Sequence, residues 1–387
     1  MKRIISILLA VAFAAALFVG CGAKTNTPTD VVVAKVNGEE IMRSDYRVLF
    51  NAYYDMYVAR NFDMTADESL TTLQGQILSD LISSLIMDQQ IAAHNITLTA
   101  QEETAVQEAI EANRRSVLGI YEARAAEEDA QDVSSRALEL LAEQASLDGY
   151  VSLDAYWVHL EKQHRTTALA DKLRQTIVGN VTLTDAQAEE RFYYELGSQV
   201  SAYSSTPSDY QTDLETYENM GGIPPLYVPE GFIRVKHILV EDEALAGDIY
   251  ARLQSGEDFD TLLLKHSTDT ASQSDPYLTS GYLLCATTSS FVPEFVTASF
   301  SIENVGDIAA PVKSSYGYHI VKLIEKVEST MMTWEEYKEN YGKDALLEQY
   351  RQQVWQNQLE VWGAQSEVVS YISRVRDIGR TKNWTDK

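Results

Sequence analysis

Two strand-like runs, each with one histidine, lie at the ends of residues 232–328 and constrain the fold of this segment. The first run reads IRVKHILV and the second reads SSYGYHIVKLIEKVE, and both alternate apolar with polar residues. Side chains two positions apart on a strand share a face. The pattern therefore predicts that His237 lies beside Val235, that His319 lies beside Val321, and that both histidines point inward.

The segments between these runs have a characteristic order. A helical stretch ends in LQSGEDFDTLLLKHS, and TSGYLLC and FVPEFVTASF follow before Gly306. This order and these residues resemble the parvulin family of peptidyl-prolyl cis-trans isomerases. The resemblance implies a small mixed sheet surrounded by helices over residues 229–328, and catalysis of cis-trans isomerisation at X-Pro bonds.

The resemblance also implies four catalytic positions. His237 and His319 match the two family histidines, and Ser314 falls on the small hydroxyl position before the last strand. The family's GGDLGW segment is SGYLLC here, so that Tyr282 replaces the polar residue of that segment. Its hydroxyl could donate to a substrate carbonyl, or its bulk could partly fill the pocket.

Four further residues match the substrate-binding positions of the family. They are Leu283 after the glycine turn, Phe291 where the family has methionine, Phe295 in the proline pocket, and Tyr316 in the aromatic-glycine-aromatic triplet. A purely structural interpretation stays open for several of these positions. The two histidines also fit a structural core pair in which each donates to a backbone or hydroxyl acceptor, and the phenylalanines also fit ordinary core packing.

The N-terminus has the pattern of an export signal. Lys2 and Arg3 precede an apolar run, and the sequence LFVGC ends at Cys21. This resembles a bacterial lipobox, which implies a signal peptide at 1–20, lipidation of Cys21, a polar tether at 21–30, and anchoring on the extracytoplasmic side of the cell membrane. The alternative is an ordinary secretory signal with an incidental cysteine.

Composition excludes several classes of function. A net charge of −26 argues against nucleic-acid binding, which needs clustered Lys and Arg. Apart from Cys21, Cys285 is the one cysteine, and the six histidines form no HExxH motif. We therefore expect neither a metal site nor a cofactor.

The remainder of the chain is predicted to be mainly helical. Residues 31–196 begin with a hairpin at Asn37-Gly38 and continue as helices, of which one has the apolar face Leu73, Ile77, Leu81, Leu85 and Ile86. Residues 197–228 are predicted to be a linker, because they are rich in turn formers and contain no basic residue. The C-terminal segment 329–387 is predicted to be helical and to pack on the N-terminal domain.

The whole arrangement resembles the PrsA foldase lipoproteins and their periplasmic relative SurA. This resemblance implies an α+β chain, in which a helical chaperone domain built from both ends accompanies the parvulin-like domain. It implies unfolded secreted proteins as partners, and it leaves a homodimer open. Client binding is predicted at an aromatic cluster of the helical domain: Tyr53, Tyr54, Met56, Tyr57 and Phe62.

Two other functions fit parts of the sequence. A chaperone with a degenerate parvulin domain would bind clients without catalysis, and Tyr282 is the residue that raises this alternative. A solute-binding lipoprotein would fit the N-terminal signal, but it would not account for the two histidine strands.

Overall fold

The computed structural model describes residues 30–380 and divides into two units. The first unit comprises the residues up to Asn180 together with those from Arg351, and the second comprises Val181–Tyr350. The predicted signal peptide, Cys21 and all but the last residue of the tether lie outside the described residues. Within residues 30–380, none of the helices combines the length and apolarity needed to cross a bilayer.

The first unit begins with the predicted hairpin. Strands β1 (Val32–Val36) and β2 (Glu39–Met42) pair antiparallel, and Asn37 and Gly38 form the turn with φ of 50° and 87°. Two successive positive φ values are what a tight hairpin turn requires, and Asn-Gly adopts them at little cost. The prediction of this hairpin is confirmed.

Five helices follow, as the sequence pattern predicts. The face predicted from Leu73 to Ile86 is buried, and Thr99 caps its helix through a capping box with Glu102. The helices are α1 (Arg43–Ala59), α2 (Asp67–Ala93), α3 (Ala100–Glu127), α4 (Val133–Leu147) and α5 (Leu153–Val178).

The second unit contains the parvulin-like segment and the helices on either side of it. Its elements in chain order are α6 (Asp185–Ser205), α7 (Ser208–Met220), β3 (Tyr227–Val228), β4 (Phe232–Val240), α8 (Glu243–Gln254), α9 (Phe259–His266), α10 (Tyr277–Ser280), β5 (Tyr282–Cys285), α11 (Pro293–Phe300), β6 (Val312–Ser314), β7 (Gly317–Lys326), β8 (Thr330–Met331) and α12 (Trp334–Tyr341).

The predicted linker at 197–228 differs from the structure. Helix α6 runs through the expected domain boundary at 196, and α7 occupies most of the remaining segment. Tyr203 and Tyr210 are buried in one cluster with Phe232 and Cys285 of the sheet. Tertiary packing of these aromatic side chains therefore stabilises helices where the composition favours a loop.

The main sheet of the second unit has the strand order β5-β4-β7-β6. All of its pairings among the described strands are antiparallel, so the prediction of a mixed sheet is wrong. The relative direction of two strands depends on the path of the chain that connects them. The alternation of polar and apolar residues contains no information on that path. One face of the sheet packs on α11, and the other packs on α8 and α9.

The C-terminal segment contributes to both units. Trp334, Tyr337 and Leu346 are buried with Phe192 in the second unit. Helix α13 (Asp344–Gln365) then leads into the first unit, where β9 (Val368–Ser370) pairs antiparallel with β1. The predicted domain boundary at 329 therefore does not coincide with the division at residue 350.

Candidate active site

Two histidines on adjacent central strands form the centre of the site. His237 on β4 and His319 on β7 are 6% and 4% exposed, and their rings stack at 5.3 Å between centroids. The Nδ1 atoms lie 3.1 Å apart. One ring must donate and the other accept, so the two imidazoles share one hydrogen bond.

A partly buried carboxylate continues this contact. Asp269 follows α9, and its Oδ2 atom lies 2.6 Å from His237 Nε2. The same oxygen accepts a hydrogen bond from the Tyr282 hydroxyl at 2.7 Å. The loop is held on β4 by the Thr268 N–H, which donates to the Leu239 carbonyl at 2.8 Å.

The opposite end of the chain of hydrogen bonds is Ser314. Its Oγ lies 2.7 Å from His319 Nε2, and it accepts the Tyr316 N–H at 3.1 Å. A carboxylate only accepts, so His237 donates through Nε2 to Asp269; with both rings neutral, His319 then donates through Nδ1 and accepts from Ser314. We call the series Tyr282, Asp269, His237, His319 and Ser314 the hydrogen-bond chain.

The environment fixes the charge states of this chain at neutral pH. The hydrogen bond from His237 is the main cause that lowers the pKa of Asp269 to about 2, although burial opposes it. Burial is the main cause that lowers the pKa of His319 to about 4, and His237 adds to it. Burial and the bond to Asp269 raise the pKa of Tyr282. Asp269 is therefore ionised, His319 is neutral, and Tyr282 is a proton donor.

Three aromatic side chains lie against the histidines, and we call them the aromatic wall: Tyr282, Phe291 and Phe295. Ring centroids of Phe295 lie 4.9 Å from His237 and 5.3 Å from His319. Phe291 is 5.4 Å from Tyr282 and 5.5 Å from Phe295. Tyr282 therefore points into the space beside the histidines, where the apolar wall meets the hydrogen-bond chain.

Two glycines allow the strands of the site to approach each other. A Cβ at Gly281 would lie 2.6 Å from the Val235 carbonyl oxygen, and one at Gly317 would lie 2.4 Å from that of Val240. Their φ values are 69° and 127°. Glycine at these positions permits the close pairing that places Tyr282 and His319 in the site.

Two of the predicted substrate-binding residues lie elsewhere. Leu283 is on the opposite face of β5 from Tyr282 and packs with Tyr203 and Phe232, so it does not share the cluster of Tyr282 and Phe295. Adjacent residues of a strand point to opposite faces, and a register difference of one residue exchanges them. Tyr316 lies in the turn between β6 and β7 with 69% of its surface exposed, and its contact with the hydrogen-bond chain is through its backbone N–H.

Asp269 is the residue that the sequence prediction missed. The prediction assigned the polar acid or thiol of the family to position 282, whereas the structure brings the acid from the loop after α9. The sequence signal was the short segment HSTD at the end of a helix. Asp269 could have been predicted from this segment, because a buried histidine needs a hydrogen-bond partner and a nearby carboxylate can provide one.

Known proteins resemble both units of the chain. Residues 236–325 match the PPIC-type PPIASE domain family (Rotamase), and residues 1–119 match the SurA-like N-terminal domain. Foldase protein PrsA of Caldanaerobacter subterraneus subsp. tengcongensis is 26% identical over 361 residues, which cover 90% of this chain and 92% of that protein. Foldase protein PrsA 4 of Bacillus cereus is 43% identical over 119 residues, 31% of this chain and 39% of that protein.

Two solved structures are also similar. The parvulin NmPin of Nitrosopumilus maritimus is 32% identical and covers 25% of this chain and 99% of its own, with a TM-score of 0.22. The peptidylprolyl isomerase PrsA of Bacillus cereus is 26% identical and covers 65% of this chain and 88% of its own, with a TM-score of 0.24.

The pKa of His319 predicts a loss of stability in acid. Its pKa is about 4 in the folded chain, below the ordinary histidine value of 6.5, so the unfolded state binds more protons between these values. The contribution of neutral His319 to the free energy of unfolding is present above pH 6.5 and is lost as pH falls through 4. We expect it to reach up to about 3 kcal/mol, measured by hydrogen exchange of β7 amides.

A His319→Asn variant should lack this part of the pH dependence, because position 319 then no longer titrates. His266→Asn, which removes a histidine of the same unit outside the hydrogen-bond chain, should keep it. An unchanged slope between pH 6.5 and 4 in His319→Asn would contradict the assignment.

Proposed function

Because this chain is a PrsA/SurA-type foldase with a parvulin-type peptidyl-prolyl isomerase domain, we propose that it binds unfolded secreted polypeptides and accelerates rotation about their X-Pro bonds. The main support is the position of the aromatic wall, which lies directly beside the hydrogen-bond chain. An apolar surface for a proline ring and a set of oriented polar groups for its amide are thus adjacent.

The chemistry of X-Pro rotation suits such a site. The barrier is about 20 kcal/mol, because rotation breaks the amide resonance. The twisted amide has less charge separation than either planar form, so an apolar environment favours it relative to water. No nucleophile, metal or net proton transfer is needed.

We assign the roles within the site on this basis. Phe291, Phe295 and the ring of Tyr282 contact the proline ring. The hydroxyl protons of Ser314 and Tyr282 are donated to His319 and Asp269, so the two hydroxyl oxygens face the substrate as acceptors for a backbone N–H of the bound peptide. The histidines hold this geometry.

The second candidate function is a chaperone that binds clients without catalysis. Phe295 is 1% exposed, and Tyr282 places a large ring in the site, so the space left for a proline is restricted. In this function the hydrogen-bond chain would only stabilise the domain. Measured isomerisation of a proline peptide distinguishes the isomerase function from the chaperone function.

We expect the full chain to accelerate cis-trans exchange of an Ala-Pro peptide measured by NMR. Asp269→Ala should lower kcat/KM by roughly 10- to 100-fold, since it removes the acceptor for two buried donors. Tyr282→Phe should have a smaller effect, because it removes one hydrogen bond and retains the ring. Asp248→Ala, an exposed acid of α8, is the matched control and should retain full activity.

Exchange at the solvent rate with the wild-type chain would leave the chaperone function alone. Equal activity of Asp269→Ala and the wild type, with the variant folded, would remove the hydrogen-bond chain from the catalytic assignment.

Client binding is proposed at the aromatic cluster of the first unit. Tyr57 and Phe62 pack edge to face at 5.3 Å, and together with Met64 and Leu73 they line a cavity of about 390 Å³. Phe62 is 57% exposed. An exposed aromatic at the edge of an apolar cavity is a suitable contact for the apolar side chains of an unfolded polypeptide.

Phe62→Ser should weaken suppression of client aggregation, measured by light scattering of a diluted unfolded protein. Loss of one apolar contact should raise the concentration needed for half suppression by about threefold or more. Ile120→Ser, at a residue 60% exposed in the same unit, controls for a general loss of surface hydrophobicity. Equal effects of the two substitutions would argue against the cluster.

We propose that the chain acts on the extracytoplasmic side of the cell membrane and is anchored through Cys21. The support is the LFVGC sequence after the apolar run, in a segment outside the described residues. Several acyl chains on one residue give durable membrane attachment.

Cys21→Ser should move the protein from the membrane fraction to the soluble fraction and abolish labelling with a radioactive fatty acid. Cys285→Ser should change neither, since Cys285 is buried in the second unit. Retained labelling of Cys21→Ser would disprove the anchor.

A further inference from the structure

A second cavity adjoins the aromatic wall within the same unit. It has a volume of about 400 Å³ and lies between α7, the start of β5 and the turn that contains Phe291. Tyr282 and Phe291 line both this cavity and the site. We call it the flank cavity. When a proline is held on the aromatic wall, its neighbouring residue lies about 3.3–3.6 Å further along an extended chain. The side chain of that neighbour can therefore reach the flank cavity.

The apolar lining suits a long aliphatic side chain. Tyr277 stacks on Tyr282 at 4.4 Å between ring centroids, and Phe291 and Leu214 lie at other parts of the lining. Long side chains such as lysine and arginine bury their methylene groups along such surfaces while the charged end remains solvated. Tyr277 also offers an aromatic face to a cation.

The charged lining is predominantly acidic. Glu215 and Glu218 lie three residues apart on α7, and both line the cavity. Glu215 accepts a hydrogen bond from Gln211 at 3.1 Å, which leaves its negative charge in place. The one lining cation is Arg234, whose Nε lies 3.4 Å from Glu325, so a neighbouring acid offsets its charge.

We propose that the flank cavity binds the side chain adjacent to the isomerised proline and selects lysine or arginine there. The inference rests on the proposed isomerase function and specifies its substrates. A cation in the cavity meets two carboxylates and an aromatic face, whereas a carboxylate would meet repulsion from Glu215 and Glu218. The proline ring itself remains on the aromatic wall.

The test compares peptides that differ only beside the proline. The full chain is assayed by NMR exchange with Lys, Gln or Glu placed before or after proline in an alanine peptide. At one of the two positions, kcat/KM should be roughly two- to fivefold higher for Lys than for Gln, and lower again for Glu. High salt should reduce the preference, because these carboxylates are exposed to solvent.

Variants locate the effect in the cavity. Glu215→Gln with Glu218→Gln should abolish the preference, so that the Lys and Gln peptides then have equal kcat/KM. Glu189→Gln with Glu190→Gln removes the same charge from exposed positions of α6 and should keep the preference. Equal loss in both double variants would mean attraction by the overall charge and would overturn the proposal.

The failure of this inference is distinguishable from failure of the isomerase function. Equal kcat/KM for Lys, Gln and Glu at both positions, with normal turnover of the alanine peptide, would overturn the cavity assignment alone. If the chain turns over no peptide, NMR titration with the Lys peptide still decides. Shifts at Glu215, Glu218 and Tyr277 would support the cavity, and their absence would overturn it.

Discussion

The carboxylate of Asp269 is the charge on which the geometry of the candidate site depends. An ionised carboxylate beside an apolar wall is unfavourable unless donors surround it. Here two donors from different elements, His237 of β4 and Tyr282 of β5, converge on one oxygen at 2.6 and 2.7 Å. Each of these side chains is oriented by satisfying the same charge, and His237 extends that order to His319 and Ser314.

The sequence predicted the strands of this site in which polar and apolar residues alternate regularly. The strands of His237 and His319 each have a recognisable inward face, because polar and apolar residues alternate along them. In β5 all four residues of YLLC are buried, since both faces of the strand are covered. The alternation then contains no information on direction, and this is why the sequence assigned both Tyr282 and Leu283 to the site although neighbouring residues of a strand point to opposite faces. Asp269 comes from a loop, whose place in space no local pattern specifies.

The fold shows the same division between local and long-range information. The Asn37-Gly38 turn formed as predicted, and the structure has capping boxes at Thr99, Thr184 and Thr333; each of these features depends on residues within four positions of one another. The composition of residues 197–228 predicts a linker, but the end of α6 and the whole of α7 lie in this segment. Their stability depends on aromatic contacts with strands that follow later in the chain, such as Tyr210 with Phe232 at 5.0 Å between ring centroids.

The pairing of β1 with β9 has a consequence for the order in which the chain matures. Val36 pairs with Val368, so β1 can pair with β9 only after more than three hundred further residues have been synthesised. The segment between them includes a whole unit of contiguous sequence, which can form its own sheet from neighbours alone. Contacts of large sequence separation form slowly because of their loop-closure entropy. During synthesis, the second unit can therefore complete its fold while the first unit, which contains β1 and β9, is still unfinished.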